Sequence, residues 1–223
     1  MIGFYDYTVI LTYLSAASAT VGIIASLSGA GHPYAGAICL MLCGLFDAFD
    51  GKVARTKANR TEQEKKFGIQ IDSLSDIVAF GVLPVCIGTA LYRRVSIGVA
   101  NIHKSYLVLL FAIMVLYVLA ALIRLAYYNV AEEERQNTET GNRRSYVGLP
   151  VTSAALVFPL ILLLSYFIPM DITPVYLAMM LFMAAAFVSR INVRKPGLRG
   201  ILIMVGIGAL EFALLMVFEL LTK

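Results

Sequence analysis

Charge is scarce in this chain of 223 residues: only 14% are Asp, Glu, Lys or Arg, against 60% that are apolar. The apolar positions form long unbroken blocks, which excludes an ordinary water-soluble domain. Histidine and cysteine are scarcer still. His32 and His103 stand in connecting segments without ligand spacing, and Cys39, Cys43 and Cys86 all lie inside apolar blocks. Neither a zinc site nor a disulfide framework is indicated. Internal repeats and low-complexity tracts are absent. No basic leader with a small-residue cleavage site precedes the first apolar block, so that block is expected to be retained as a span.

A bilayer core takes about 20 apolar residues per helix, which leaves room for six to eight spans and no sizeable water-facing domain. Apolar blocks and breakers together predict an all-α, polytopic transmembrane helix bundle of about seven spans. They are placed near Thr8 to Ser28, Tyr34 to Gly51, Asp72 to Tyr92, Ser105 to Ala131, Leu149 to Ile168, Pro174 to Arg190 and Gly200 to Leu221. Proline and glycine in Gly29 to Pro33, Pro169 to Pro174 and Lys195 to Gly197 supply the breaks. Residues 1–223 read as a single integral membrane domain.

The net charge of +4 is modest, and its distribution matters more than its size. Lys52 to Gln70 carries six lysines and arginines, Glu132 to Tyr146 three and Arg190 to Arg199 four. The positive-inside rule places these segments, and with them the N-terminus, in the cytoplasm, leaving the C-terminus outside. The charge therefore speaks for topology and not for a nucleic-acid partner.

Carboxylates at a membrane span are costly and call for a cation, a partner charge or an aqueous path. Asp47 and Asp50 are three apart near the inner end of the second predicted helix, and Asp72 and Asp76 four apart near the inner start of the third, so each pair occupies one helix face. The two helices are expected to run antiparallel, which lets the four groups surround a common volume. Like charges there need divalent cations, and all-oxygen ligands favour Mg2+ or Mn2+ over zinc or copper. Two ions would suit phosphoryl chemistry, where paired metals steady the entering and leaving oxygens.

Asp47, Asp50-Gly51, Ala54-Arg55, Gly68, Asp72 and Asp76 form the pattern D-x2-DG-x2-AR-x12-G-x3-D-x3-D. It resembles the CDP-alcohol phosphotransferase signature. The flanking segments Ile71 to Gly81, Arg124 to Val130 and Gly148 to Pro150 are most similar to members of that family that transfer to serine. The resemblance covers roughly Leu11 to Ala155, and it implies a family core at approximately 8–168 with additional membrane helices at approximately 172–221. Two departures stand out. The 12 residues between Arg55 and Gly68 are about one helical turn more than the family usually has, and Tyr127 occupies a position where related serine enzymes often carry arginine.

The resemblance implies that Asp47, Asp50, Asp72 and Asp76 hold two divalent ions, with Asp76 also the general base. The metals would grip the diphosphate of CDP-diacylglycerol while Asp76 takes the proton from the hydroxyl of L-serine. Gly51, Ala54, Arg55 and Gly68 are the expected nucleotide-binding residues. Small side chains let the nucleotide approach the helix, Gly68 permits close loop approach, and a guanidinium can donate two parallel bonds to phosphate. Arg124, a cation inside the fourth predicted span, is the leading candidate to bind the acceptor carboxylate or a lipid phosphate. Asn129, Arg143, Arg144 and Tyr146 are further candidates. Partners would be membrane lipids and, by the resemblance, a second copy of the chain in a homodimer. Two alternatives remain open: a related transferase using a phosphorylated alcohol, either glycerol 3-phosphate or an inositol phosphate, and a cation transporter whose carboxylates form an ion path.

Overall fold

Small residues set the packing of α1 (Ile10–Leu27) against α2 (Pro33–Ala54). A Cβ added to Gly22 would stand 2.7 Å from the Cβ of Cys39, and one on Gly36 would collide with the Ser26 hydroxyl. Ser18 Oγ donates to the Cys39 carbonyl at 3.1 Å, and Cys43 Sγ to that of Ser15 at 3.3 Å. Such interfaces suit a bilayer, where association relies on close backbone packing and interhelical hydrogen bonds. The computed structural model describes residues 3–96, 104–138, 145–168, 170–194 and 197–221. Arg143 and Arg144 lie outside the described residues, and Tyr146 is described only through its backbone.

After α2, the chain enters α3 (Glu62–Asp76), a π-helical turn (Ile77–Val82) and α4 (Leu83–Ser96), which form one continuous column. The sequence predicts this helix from Asp72, whereas the structure starts it at Glu62. A capping box explains the difference. Thr61 Oγ1 accepts from the Glu64 N–H at 3.2 Å, and the Glu64 carboxylate accepts from the Thr61 N–H at 2.8 Å. The polar stretch that hydropathy marks as loop is thereby helical from its first turn.

Pro84, near the start of α4, lacks the N–H that the Phe80 carbonyl would receive in an α-helix. Tyr117 of α5 (Lys104–Thr138) supplies the missing donor, its hydroxyl 2.7 Å from that oxygen. Tyr176 of α7 (Thr173–Val188) likewise donates to the Pro84 carbonyl at 2.9 Å. Phe158 of α6 (Ala154–Leu164) packs between these two tyrosines, with ring centroids 5.6 Å from Tyr117 and 4.7 Å from Tyr176. All three rings are fully buried, so the bundle centre combines aromatic packing with satisfied hydroxyls.

The outward face of α5 is apolar, with Val108, Phe111, Val115, Leu119 and Ile123 more than two-fifths exposed. On α8 (Leu198–Leu221), Leu202, Ile203, Ile207 and Leu210 are exposed in the same way. Asp76, Arg124 and Glu211 are buried. This is the polarity of a bundle surrounded by hydrocarbon.

Seven helical columns stand among the described residues. Four are long and apolar enough to cross a membrane: Tyr7–Leu27, Glu62–Ser96, Lys104–Glu134 and Arg199–Phe218. The apolar helices Val151–Leu164 and Thr173–Val188 are shorter. Column α2 has 22 residues, but Asp47, Asp50 and Lys52 occupy its last two turns.

A two-stranded antiparallel ribbon, β1 (Ser145–Val147) with β2 (Asn192–Arg194), ties the segment before α6 to the segment after α7. Gly148 follows it in the left-handed region at φ +81. Its N–H donates to the Ile191 carbonyl at 2.7 Å, and that of Leu149 donates to Ala186 at 3.1 Å.

Candidate active site

The two aspartate pairs meet. Single ligand oxygens from Asp47, Asp50 and Asp72 all lie within 4.8 Å of one another, and the three side chains are half-buried. Asp50 and Asp72 approach within hydrogen-bonding reach. Asp76, one turn beyond Asp72, is 8% exposed and close enough for its charge to interact with the other three. Among the described residues, no lysine or arginine forms an ion pair with any of the four aspartates. A compact all-oxygen set with no described lysine or arginine paired to it fits a hard divalent cation.

The first helix holds the two pairs together. Thr12, almost fully buried on α1, donates from its hydroxyl to Asp50 Oδ2 at 3.5 Å, and its carbonyl accepts from Ser75 Oγ at 3.2 Å. One residue therefore touches both α2 and α3 between their carboxylates. The Gly51 N–H donates to the other oxygen of Asp50. Sequence reasoning misses Thr12 because a threonine inside an apolar block carries no motif signal.

The expected nucleotide-binding residues border the cluster. Gly51 follows Asp50 directly, and the Arg55 guanidinium folds back over it, with Nη1 3.4 Å from where a Cβ would stand. Ala54 closes the last turn of α2 and is half-buried. Gly68 lies on α3 one turn before Asp72, and its open face is occupied by the guanidinium of Arg60. Arg60 is a second residue that sequence reasoning did not single out. Its signal was the glycine that makes room for it.

The expected acceptor residues divide. Asn129 Nδ2 donates to Ser73 Oγ at 2.8 Å, which docks the inner part of α5 against α3 between Asp72 and Asp76. Arg124 is buried and donates from Nε to the Leu149 carbonyl at 3.1 Å and from Nη2 to that of Gly148 at 3.5 Å, with its guanidinium 5.4 Å from the centre of the Tyr128 ring. These contacts anchor the Gly148-Leu149-Pro150 segment to α5. Tyr127, at the position of the second departure, is 56% exposed.

An ionic clasp holds the loop beside the cluster. Lys57 Nζ contacts Asp6 Oδ2 at 2.6 Å and Glu64 Oε1 at 2.7 Å, which joins the N-terminal segment, the loop and the start of α3. Phe4 and Phe67 meet edge to face at 5.4 Å in the same place. The hydrogen bond from Lys57, helped by Thr8, lowers the Asp6 carboxyl to about 2, and Asp6 in turn raises Lys57. The depressed carboxyl contributes fully above an ordinary carboxylate pKa near 4 and is lost as pH falls through about 2. The raised lysine contributes fully below its ordinary value of 10.5 and is lost above it. Deuterium exchange of the segment 3–9 should accordingly stay low at neutral pH and rise severalfold in Asp6→Asn. Equal protection in parent and variant would show that the aromatic contact alone fastens the segment.

The chain belongs to the CDP-alcohol phosphatidyltransferase family, whose model matches residues 8–191, and it is an integral membrane protein. Among curated proteins it is 29% identical over 189 residues to the CDP-diacylglycerol-serine O-phosphatidyltransferase of Helicobacter pylori, a match spanning 83% of this chain and 70% of that protein. It is 33% identical over 147 residues to the archaetidylserine synthase of Methanothermobacter thermautotrophicus, covering 66% of this chain and 53% of the relative. The enzyme of Saccharomyces cerevisiae named CDP-diacylglycerol-serine O-phosphatidyltransferase is 33% identical over 156 residues, 68% of this chain and 51% of that protein. No solved structure matches the chain significantly.

Proposed function

We propose that this protein transfers the phosphatidyl group of CDP-diacylglycerol to L-serine, giving phosphatidylserine and CMP. The observation that carries the reading is the convergence of Asp47, Asp50 and Asp72 within 4.8 Å, on signature positions of a chain in the CDP-alcohol phosphatidyltransferase family. The serine acceptor is supported by the names of the three relatives above. The family membership weighs against a cation transporter.

Asp47, Asp50, Asp72 and Asp76 would hold divalent metal, and we favour two ions of Mg2+ or Mn2+. Such ions, when bound, neutralise the diphosphate and steady the charge on the departing phosphate. Thr12 and the Gly51 N–H keep the Asp50 carboxylate turned toward the cluster. Asp76 takes the proton of the serine hydroxyl as its oxygen attacks the phosphorus on the lipid side. The new P–O bond forms as the bond to CMP breaks, and CMP leaves with that electron pair. Gly51, Ala54, Arg55 and Gly68 border the space for the nucleotide, and Asn129, Arg124, Arg143, Arg144 and Tyr146 stand as acceptor-side candidates. Arg124 serves that side by holding Gly148 and Leu149 in place.

The basic segments set the reaction at the cytoplasmic face, with the N-terminus on the same side. We further propose one membrane domain and a homodimeric assembly. Purified protein in detergent or nanodiscs is expected to release CMP from CDP-diacylglycerol only when serine and a divalent metal are both supplied. Release with glycerol 3-phosphate or an inositol phosphate, and none with serine, would reassign the acceptor. No release with any acceptor would overturn the catalytic reading.

A further inference from the structure

Each glycine of the signature pattern lies under a guanidinium. Arg55 covers Gly51, beside Asp50, as the pattern leads one to expect. The second guanidinium belongs to Arg60, in the lengthened loop between Arg55 and Gly68. A Cβ on Gly68 would stand 2.6 Å from Arg60 Nη2 and 3.7 Å from its Cζ. Gly68 and Asp72 are four residues apart on α3 and so share a face about one turn apart. The Arg60 guanidinium is therefore held over α3 about one helical turn from Asp72.

Its hydrogen bonding is incomplete. Nη2 donates to the Glu64 carbonyl at 3.1 Å, yet Nε is buried and has no partner. Among the described residues no carboxylate pairs with this guanidinium, although Glu64 is close enough for its carbonyl to be bonded and spends its carboxylate on Lys57 and the Thr61 N–H. An arginine normally uses its fork on a carboxylate or a phosphate. A buried N–H left unsatisfied carries a desolvation cost that an incoming acceptor would relieve. The clasp of Lys57 with Asp6 and Glu64, together with the capping box at Thr61, fixes the loop on both sides of Arg60 and holds the side chain in this pose.

Building on the proposed function, we infer that Arg60 is a second cationic arm for the donor, binding an anionic oxygen of the nucleotide diphosphate from the Gly68 side while Arg55 approaches from the Gly51 side. The lengthened segment between Arg55 and Gly68 is then what delivers this arm. Arg60 binds substrate and takes no part in proton transfer.

The test uses the full-length protein in detergent with Mg2+, comparing parent, Arg60→Ala and Arg60→Lys. Affinities for CDP and for cytidine are measured by calorimetry, alongside the thermal midpoint and the KM values for CDP-diacylglycerol and serine. Arg60→Ala is expected to weaken CDP about tenfold, since bonds to a charged group are lost, and to raise the KM for CDP-diacylglycerol in parallel. Cytidine affinity, the KM for serine and the thermal midpoint should stay near the parent's, and Arg60→Lys should recover part of the loss. A loop-bracing role predicts another pattern: a lowered midpoint, with CDP and cytidine weakened alike or neither weakened. That pattern would overturn the inference while leaving the proposed function intact. A parent protein that neither binds CDP nor releases CMP would overturn both.

Discussion

Asp76→Asn is expected to lower turnover by about 10²- to 10⁴-fold, the usual contribution of a positioned general base, while most of the metal affinity remains. Asparagine has the shape of aspartate and keeps one oxygen toward the cluster, but it cannot take a proton from serine. The side chain is 8% exposed and precedes the π-helical turn, so an isosteric change leaves the packing around it undisturbed. Asp47→Asn should behave differently. Asp47 belongs to the trio whose oxygens lie within 4.8 Å, so on the proposed reading its loss should weaken metal binding itself and be partly offset by raising the metal concentration. Manganese binding followed by electron paramagnetic resonance, with kcat at saturating metal, separates the two variants. Parent-like turnover in Asp76→Asn would remove it as the base and leave the metal site standing.

Gly148→Ala is the second large effect, and it acts on folding. Gly148 sits at φ +81, where a side chain costs about 1–2 kcal/mol. The added Cβ would also stand 2.7 Å from the Phe187 carbonyl and 3.1 Å from that of Ser189, both backbone atoms that cannot swing aside. A total loss of roughly 3 kcal/mol is expected, read as a lowered unfolding midpoint in detergent. The change also disturbs the carbonyls that Arg124 grips, so residual activity should show a raised KM for serine. An alanine variant that unfolds at the parent's temperature would contradict the packing described around this glycine.

The aspartate cluster was legible from spacing alone, because intervals of three and four residues place carboxylates on single helix faces and antiparallel helices bring the faces together. The helical class was equally legible from the apolar blocks. The start of α3 was not, since hydropathy weighs the polar residues 62–71 as loop and ignores the Thr61–Glu64 capping box, a local signal that was there to be read. Thr12 and Arg60 escaped for a different reason. Their positions depend on which helix face or glycine the chain brings beneath them, and no periodicity encodes that. Arg124 is conspicuous as a cation inside an apolar block, while its bonds to the Gly148 and Leu149 carbonyls depend on the fold and not on any spacing.

The column Glu62–Ser96 has 35 residues, about 52 Å as a helix, against a hydrocarbon thickness of about 30 Å. On the proposed topology, with its Ser96 end at the far edge of the hydrocarbon, roughly the first 15 residues stand clear of the acyl chains, and Asp76 falls where hydrocarbon gives way to headgroups. On the proposed reading, a water-borne amino acid and a lipid-anchored donor can then react without either one traversing the bilayer. The new lipid stays in the leaflet that held its precursor, so any copy found in the opposite leaflet must be carried there by a separate flipping activity.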